Sequence, residues 1–476
     1  MLLSLLSLAF ILSSHTASAQ EIQGEGRRRV NVAVQAAGSE LSSETDAQIQ
    51  AMVDGGQGSI RLAAGTYRFQ KTVTIDLLKS GCSAISGDGT ARVIMEGAGP
   101  AFHFMGHHEG SAVPESVKPA VWEKERAPMV EGIEIVGANA YADGIKATGT
   151  MQITLSRVLV RECRHAVHLA GRNRNILISA CHFYNNRGIG VFYDAVNLHQ
   201  SNIIGSHISY NKGGGIVSRG GNVRNLHIGT CDIEANHDTM EGAVPAANVL
   251  LDSTGGSIGE VAITGCTIQH TGKAAGSANI RILGAGDDPS LERRVGRTHT
   301  REGNVTIGDN VFSDVQVNIE IAQARGVTIT GNTFWEGFQH DLIVKASENI
   351  VVTGNNFDRN PRYLVNGFDN AEHNGLVFEN CADSAITGNV ISGVWKKRAA
   401  VELAGCNRMN IANNTILDSD GIGLLLQNVS RSIISDNLIR DDREGEKRSK
   451  EPSLKIIGGS DNLIGSNLLG NGKVVE

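Results

Sequence analysis

Tryptophan and tyrosine are scarce in this chain, with 3 and 6 copies among 476 residues, and all aromatic residues together make up 4%. Sugar-binding platforms built from stacked rings are correspondingly disfavoured. Cations form no extended run, RRR at 27–29 being too short to matter, and the formal charge is −7. A nucleic-acid partner is therefore not expected, because neutralising a phosphate backbone needs clustered Lys and Arg. Beyond residue 19 no stretch of about 18 apolar residues occurs, so no membrane span is expected. No Cys/His spacing suggests a structural zinc site. Proline is also rare, and three of the 8 copies fall in the segment 107–128, which has no apolar period and should leave the regular architecture.

What the chain does contain is a repeat. GVTITGNTF (326–334), NIVVTGNNF (349–357), DSAITGNVI (383–391), RMNIANNTI (408–416), RSIISDNLI (431–439) and DNLIGSNLL (461–469) share one frame. Asn310, Asn332, Asn355, Asn389, Asn414, Asn437 and Asn467 occupy one position of it. Cys266, Cys231, Ser206, Cys181 and Val158 continue it backwards. Most intervals are 22 to 25 residues, with insertions lengthening others to between 30 and 44. A recurring unit of this size is the mark of a solenoid, in which each coil touches only its neighbours, so one long domain can exceed the usual domain length.

A second apolar segment precedes each ladder strand, as in AVHLAG, NIRILGA, NIEIAQA and AVELAGC, and alternates with period 2. Val401 and Leu403 point inward and Glu402 outward. Adding the strands that flank the ladder position gives three strands per turn. The expected fold is all-β: a right-handed parallel β-helix of three sheets wrapping a narrow core. Its internal Asn residues stack about 4.8 Å apart with their amides bonded to one another. The Cys residues of the frame are expected as buried free thiols, in keeping with the odd count of 7.

Residues 1–19 combine an apolar stretch with an Ala17-Ser18-Ala19 ending and read as a secretory signal peptide, implying a secreted or periplasmic location. Residues 20–128 form an N-terminal cap and first coils, and 129–476 the coils with the ladder. Thr45 or Asp46 can cap a short helix carrying Ile49, Met52 and Val53 on one face. That helix, a glycine turn and the AAGTY at 63–67 resemble the N-terminal cap of the pectate lyase superfamily of parallel β-helix proteins. The resemblance implies a fold and a substrate class, long polysaccharides cut or bound along an exposed sheet; the catalytic sets of its known enzymes are not present. A calcium ion enters by analogy of fold only.

In such proteins substrate lies on the sheet before the ladder strand. Outward positions there are Lys146, His168, Val217 or Ser218, Leu250, Arg281, Glu320, Ile343 with Lys345, Val377 with Glu379, Glu402, Leu425 with Gln427, and Lys455, with the phase unassigned at 188–220. The insertions 234–248, 284–304 and 358–374 are expected to wall a groove between coils at about 190 and 380. Within it, Arg281, Glu320 and Lys345 are the candidate catalytic residues, and Tyr193, Asp194, Arg219, His237, Asp238 and Glu379 the candidate substrate contacts. A lyase acting on a uronate-containing polymer needs a cation for the sugar carboxylate and a base for the adjacent proton, and these residues supply the types. A glycoside hydrolase needs two carboxylates, which Glu320 and Glu379, two coils apart, would provide. A non-catalytic carbohydrate-binding or cell-surface solenoid is the third expectation.

Overall fold

The computed structural model describes residues 32–34, 45–110, 113–287, 299–359 and 373–476. The expected signal segment and most of the 358–374 insertion lie outside these. Three parallel sheets wind into a right-handed β-helix, and the repeated T-G-N motif shows how one coil is made. Gly331, Gly354 and Gly388 adopt the left-handed conformation, with φ of 68°, 65° and 67°. L-residues with a Cβ enter that region at a cost, which is why glycine recurs here. The turn it makes places the following Asn inside. Asn332 Nδ2 donates to Ile307 O, Thr330 O and Asn355 Oδ1, while Asn332 Oδ1 accepts from the backbone and side-chain nitrogens of Asn310, all at 3.0–3.1 Å. Every polar atom of the buried amide is thereby satisfied, which removes the desolvation penalty of an unpaired group.

We call the sheet preceding this turn the second sheet (for example Arg325–Thr330 and Glu348–Thr353) and the one following it the third (Val311–Ser313, Thr333–Phe334, Asn356–Phe357). The face sheet completes each coil (Val315–Ala322, Gly337–Lys345, Gly375–Glu379, Ala399–Ala404). All three are parallel and in register, as in Phe312↔Phe334↔Phe357 and Ile319↔Leu342↔Leu376. The core is accordingly a set of columns. Phe312, Phe334 and Phe357 stack with ring centroids 4.8 and 4.5 Å apart, fully buried. All seven cysteines are free, six of them buried and Cys82 partly so. Burial drives the Cys181 thiol up to about 11, so it behaves as a small hydrophobe.

The first coil is closed by helix α1 (Thr45–Asp54), whose Ile49 and Val53 are buried on the core. Asp46 accepts a hydrogen bond from Lys71 N at 2.9 Å, tying the helix to the coil below. The 107–128 excursion holds a short helix that apolar periodicity does not reveal, Pro119–Lys124. It is anchored by the fully buried Glu125, which accepts from His107 N at 2.6 Å and lies 3.0 Å from His107 Nδ1.

A second internal ladder accompanies the first. Side-chain amides run Asn186→Asn211→Asn236→Asn248→Asn279→Asn318, each Nδ2 donating to the next Oδ1 at 2.7–2.9 Å. The last amide donates to Asp341 Oδ1 at 2.7 Å. Asp341 is fully buried and its Oδ2 has no partner. Burial pushes its carboxyl well above the usual range.

Candidate functional site

On the face sheet the outward residues form two columns. One runs His103↔Lys146↔His168↔Phe192↔Val217↔Leu250↔Arg281↔Glu320↔Ile343↔Val377↔Glu402. The other, two residues further along each strand, runs Asp194↔Arg219↔Asp252↔Leu283↔Ala322↔Lys345↔Glu379. Arg281 and Glu320 are therefore neighbours, with Nε to Oε2 at 2.7 Å, and Arg281 Nη2 also donates to Gly276 O at 2.7 Å. Lys345 stands in the other column and pairs with Glu379 at 3.3 Å. The expected catalytic trio is thus two ion pairs on a sheet face rather than one constellation. Glu320 and Glu379 are separated by a diagonal as well as by two coils, and each faces a cation, which leaves them poorly placed as an acid–base pair across one bond.

The phase at 188–220 is also fixed. Tyr193 points into the core, fully buried, with Oη 2.7 Å from Ser201 Oγ, and desolvation drives its phenol well above the usual range. It cannot touch a substrate. Its neighbours on either side, Phe192 and Asp194, face outward. Arg219 does too, its side chain 55% exposed and 3.7 Å from Asp252. Asp194 instead engages His168, Nε2 to Oδ2 at 2.9 Å, beneath a ring stack with Phe192. His168 has a buried, unpartnered Nδ1, and burial holds the adjoining His103 and His165 near 4, uncharged at neutral pH. This patch is a packed set of rings rather than an open base.

His237 and Asp238 lie elsewhere, in the turn joining the third sheet to the next face strand. His237 is buried, donates from Nε2 to Ala278 O at 3.2 Å, and is lowered to about 4 by desolvation. Asp238 stands 4.0 Å from Lys212. Both line a cleft of about 440 Å³ with Asn185, Tyr210, Met240, His270 and Thr271. A larger cleft of about 1170 Å³ opens along the same edge further on, lined by Arg359, Trp395, Lys396, Asp418, Asp420, Arg443 and the 444–451 segment. The Arg359 guanidinium carbon sits 3.0 Å above the Trp395 ring.

One column of turn residues connects the two clefts. The residue four places after each ladder position runs Asn185, Tyr210, Ala235, His270, Asp314, Glu336, Arg359, Gly393, Asp418 on successive coils. Asp314 N donates to Glu336 O at 2.8 Å, which fixes that register. His270 Nδ1 lies 3.5 Å from Asp314 Oδ2, and Ser313 Oγ donates to the same oxygen at 2.8 Å. Glu336 is 5% exposed, and its Oε2 has no partner. Burial first, and then the Asp314 carboxylate within hydrogen-bonding reach, push the Glu336 carboxyl up to about 7, against an opposing pull from Arg359. Sequence reasoning missed Asp314, Glu336 and Arg359. The ladder frame contains them, since a constant offset forward from Asn310, Asn332 and Asn355 lands on all three.

The protein family described as periplasmic copper-binding protein (NosD) matches residues 246–394 and 290–476. No curated protein matches the chain. Among solved structures, tailspike protein 3 of bacteriophage CBA120 aligns at 14% identity and a TM-score of 0.43, covering 88% of this chain and 59% of the phage protein, so the chain spans well under two thirds of that relative. A mannuronan C-5 epimerase A-module from Azotobacter vinelandii aligns at 15% identity and 0.32 over 93% and 98% of the two chains. The catalytic unit of an alpha-1,3-glucanase from Streptomyces thermodiastaticus aligns at 10% and 0.37 over 94% and 70%. Among the described residues no group of three or more His, Cys, Asp or Glu side chains could hold a metal ion. Six of the seven thiols are buried in the core.

Proposed function

We propose that this right-handed parallel β-helix protein is of the pectin-lyase-like kind and is exported, and that it binds and processes a long polysaccharide laid along the turn edge between its third and face sheets. The observation that carries this reading is the alignment of two clefts, of about 440 and 1170 Å³, on one edge and in one register. A linear polymer matches an array of equivalent turns, since each coil advances the site by about 4.8 Å. Tyr210, 57% exposed, offers a ring face at one end, and Trp395, one face of which carries the Arg359 guanidinium, stands at the other. The larger cleft sets Arg359, Lys396, Arg443, Lys447, Arg448 and Lys450 against Asp418, Asp420, Glu444, Glu446 and Glu451, with Arg443 paired to Asp420 and Asp441, and the small positive excess weakly favours a polymer bearing carboxylates, in keeping with the uronate-containing substrate expected from the sequence. Export accords with the apolar segment at 1–19 and with the periplasmic description of the matching family. Among the described residues no helix is long and apolar enough to cross a membrane.

The lyase chemistry expected on the face sheet draws little support from the geometry there, because Arg281 and Lys345 are each engaged by a carboxylate and Tyr193 is inside the core. A binding panel of acidic and neutral polysaccharides tests the proposal. Acidic polymers should bind more tightly, with affinity falling as salt rises. Tyr210→Ala and Trp395→Ala should each weaken binding on the order of tenfold, about 1.4 kcal/mol, while Arg281→Ala leaves it unchanged. Equal binding by all these variants would refute the edge site.

A further inference from the structure

The second sheet carries no charge on its outward side. One outward column runs in register from Thr154 to Leu463 across twelve coils, and the other from Ser156 to Ser435 across eleven. Neither contains a Lys, Arg, Asp or Glu. At the chain's overall 20% of charged residues, about five of these twenty-three positions would carry charge, and solvated faces usually carry more. The face sheet does so, presenting Arg281, Glu320, Lys345, Glu379 and Glu402. The uncharged side is open to solvent: Ile204, Ile433 and Leu463 on it are 42%, 44% and 62% exposed. Its charges stand at the margin, where the strands begin, with Arg325 3.5 Å from Glu348 and Arg408 paired with Asp383. A centre depleted of charge inside a polar rim is the composition that separates an interface from ordinary surface.

We infer that the second sheet is the interface of a homodimer, two copies packing these sheets face to face about a two-fold axis. Coil steps of about 4.8 Å make the strip about 53 Å long, and strands of four residues make it about 13 Å wide. Two such strips in contact bury about 1,400 Å² in total, within the range of standard specific interfaces. A second copy is the occupant because an uncharged face meets itself without like-charge repulsion, as an isologous contact requires. Its short and β-branched side chains, such as Thr328, Val351, Thr353 and Thr387, suit two sheets interdigitating about 10 Å apart. Sugar is less suited, since neither column holds a Trp, Tyr or Phe and both clefts lie on the other edge. The coil is three-sided, so the turn edge between the third and face sheets is the vertex opposite the second sheet. Both edges of the dimer are therefore free and face away from each other. The dimer itself needs nothing from the polysaccharide reading; combined with that reading, it makes the assembly bivalent and raises its apparent affinity for a long polymer.

Sedimentation velocity of the whole protein without polysaccharide tests the dimer. Wild type should pass from monomer to dimer with a dissociation constant of about 10 μM or tighter. Thr328 stands at the middle of the strip, where a charge would face its own copy across the axis. Thr328→Arg and Thr328→Glu should each weaken dimerisation at least about tenfold, with circular dichroism and melting unchanged. An equal mixture of the two should dimerise again, because Arg of one copy then meets Glu of the other. Ile343→Arg, on the face sheet, should dimerise as wild type does. A wild type that stays monomeric at about tenfold higher concentration, or that forms a trimer or larger assembly, overturns the inference. So does a dimer that survives both Thr328 variants, a mixture no better than either alone, or loss of the dimer in Ile343→Arg. Protection of Ile433 and Leu463 from hydroxyl radicals by added polysaccharide, and not by rising protein concentration, would give this face to sugar and overturn it as well.

Discussion

Replacing Asp341 by asparagine stabilises the protein at neutral pH. The carboxyl is fully buried at the end of the amide ladder, takes hydrogen bonds from Asn318 and from the Gly337 backbone, and is held well above the ordinary carboxylate range by desolvation. The unfolded chain titrates this group near about 3.9. Because the folded-state value is the higher one, the wild type has its full stability below about pH 4 and loses it as pH rises towards the folded value. The limiting slope is about 1.4 kcal/mol per pH unit. An amide of the same shape keeps the acceptor for Asn318 without that linkage. Urea midpoints should therefore coincide near about pH 4 and separate progressively in favour of Asp341→Asn as pH rises above it. A variant less stable than wild type at pH 7 would mean that the carboxylate is ionised and has a cationic or donor partner.

Truncating Phe334 to alanine has the opposite sign. Its ring is fully buried between Phe312 and Phe357, at centroid distances of 4.8 and 4.5 Å, and the parallel register leaves the adjacent coils no freedom to close the gap. A loss of about 3–5 kcal/mol is expected, as for other buried Phe→Ala changes. Since each coil contacts only its neighbours, hydrogen exchange should speed up most in the three coils around Phe334. Phe334→Leu should recover more than half of the loss. A loss below about 1 kcal/mol would show that the stack relaxes and that the column is not close-packed.

The fold was legible because its signals are local and repeated. T-G-N states both the left-handed turn and the buried amide in three letters, and period 2 in AAVELA gives the orientation of Val401, Glu402 and Leu403. The site was less legible, for reasons that differ by residue. Lys345 was grouped with Arg281 and Glu320 because both outward columns share a period of 2, and only cross-strand register separates Glu320↔Ile343 from Ala322↔Lys345. The orientation of Tyr193 is not legible in the sequence because Ile189–Ile204 runs as one continuous strand through face and second sheets, and its phase depends on where the coil bends. The second ladder shows its period only in Asn186, Asn211 and Asn236. From Asn248 it passes into the face strands after the 237–247 loop, so its spacing becomes irregular. Asp314 and Glu336 sit in turns, where no amphipathic pattern marks orientation.

The central claim is that polysaccharide lies along the turn edge and not on the face sheet. Hydroxyl-radical footprinting of the protein with and without the tightest-binding polymer tests this most directly, because the two surfaces carry different oxidisable side chains. Tyr210, Met240, His270 and Trp395 should be protected, and Leu283, Ile343 and Val377 on the face sheet should oxidise at unchanged rates. Protection of Leu283, Ile343 and Val377 with the edge residues unchanged would contradict the account and return the site to the sheet face.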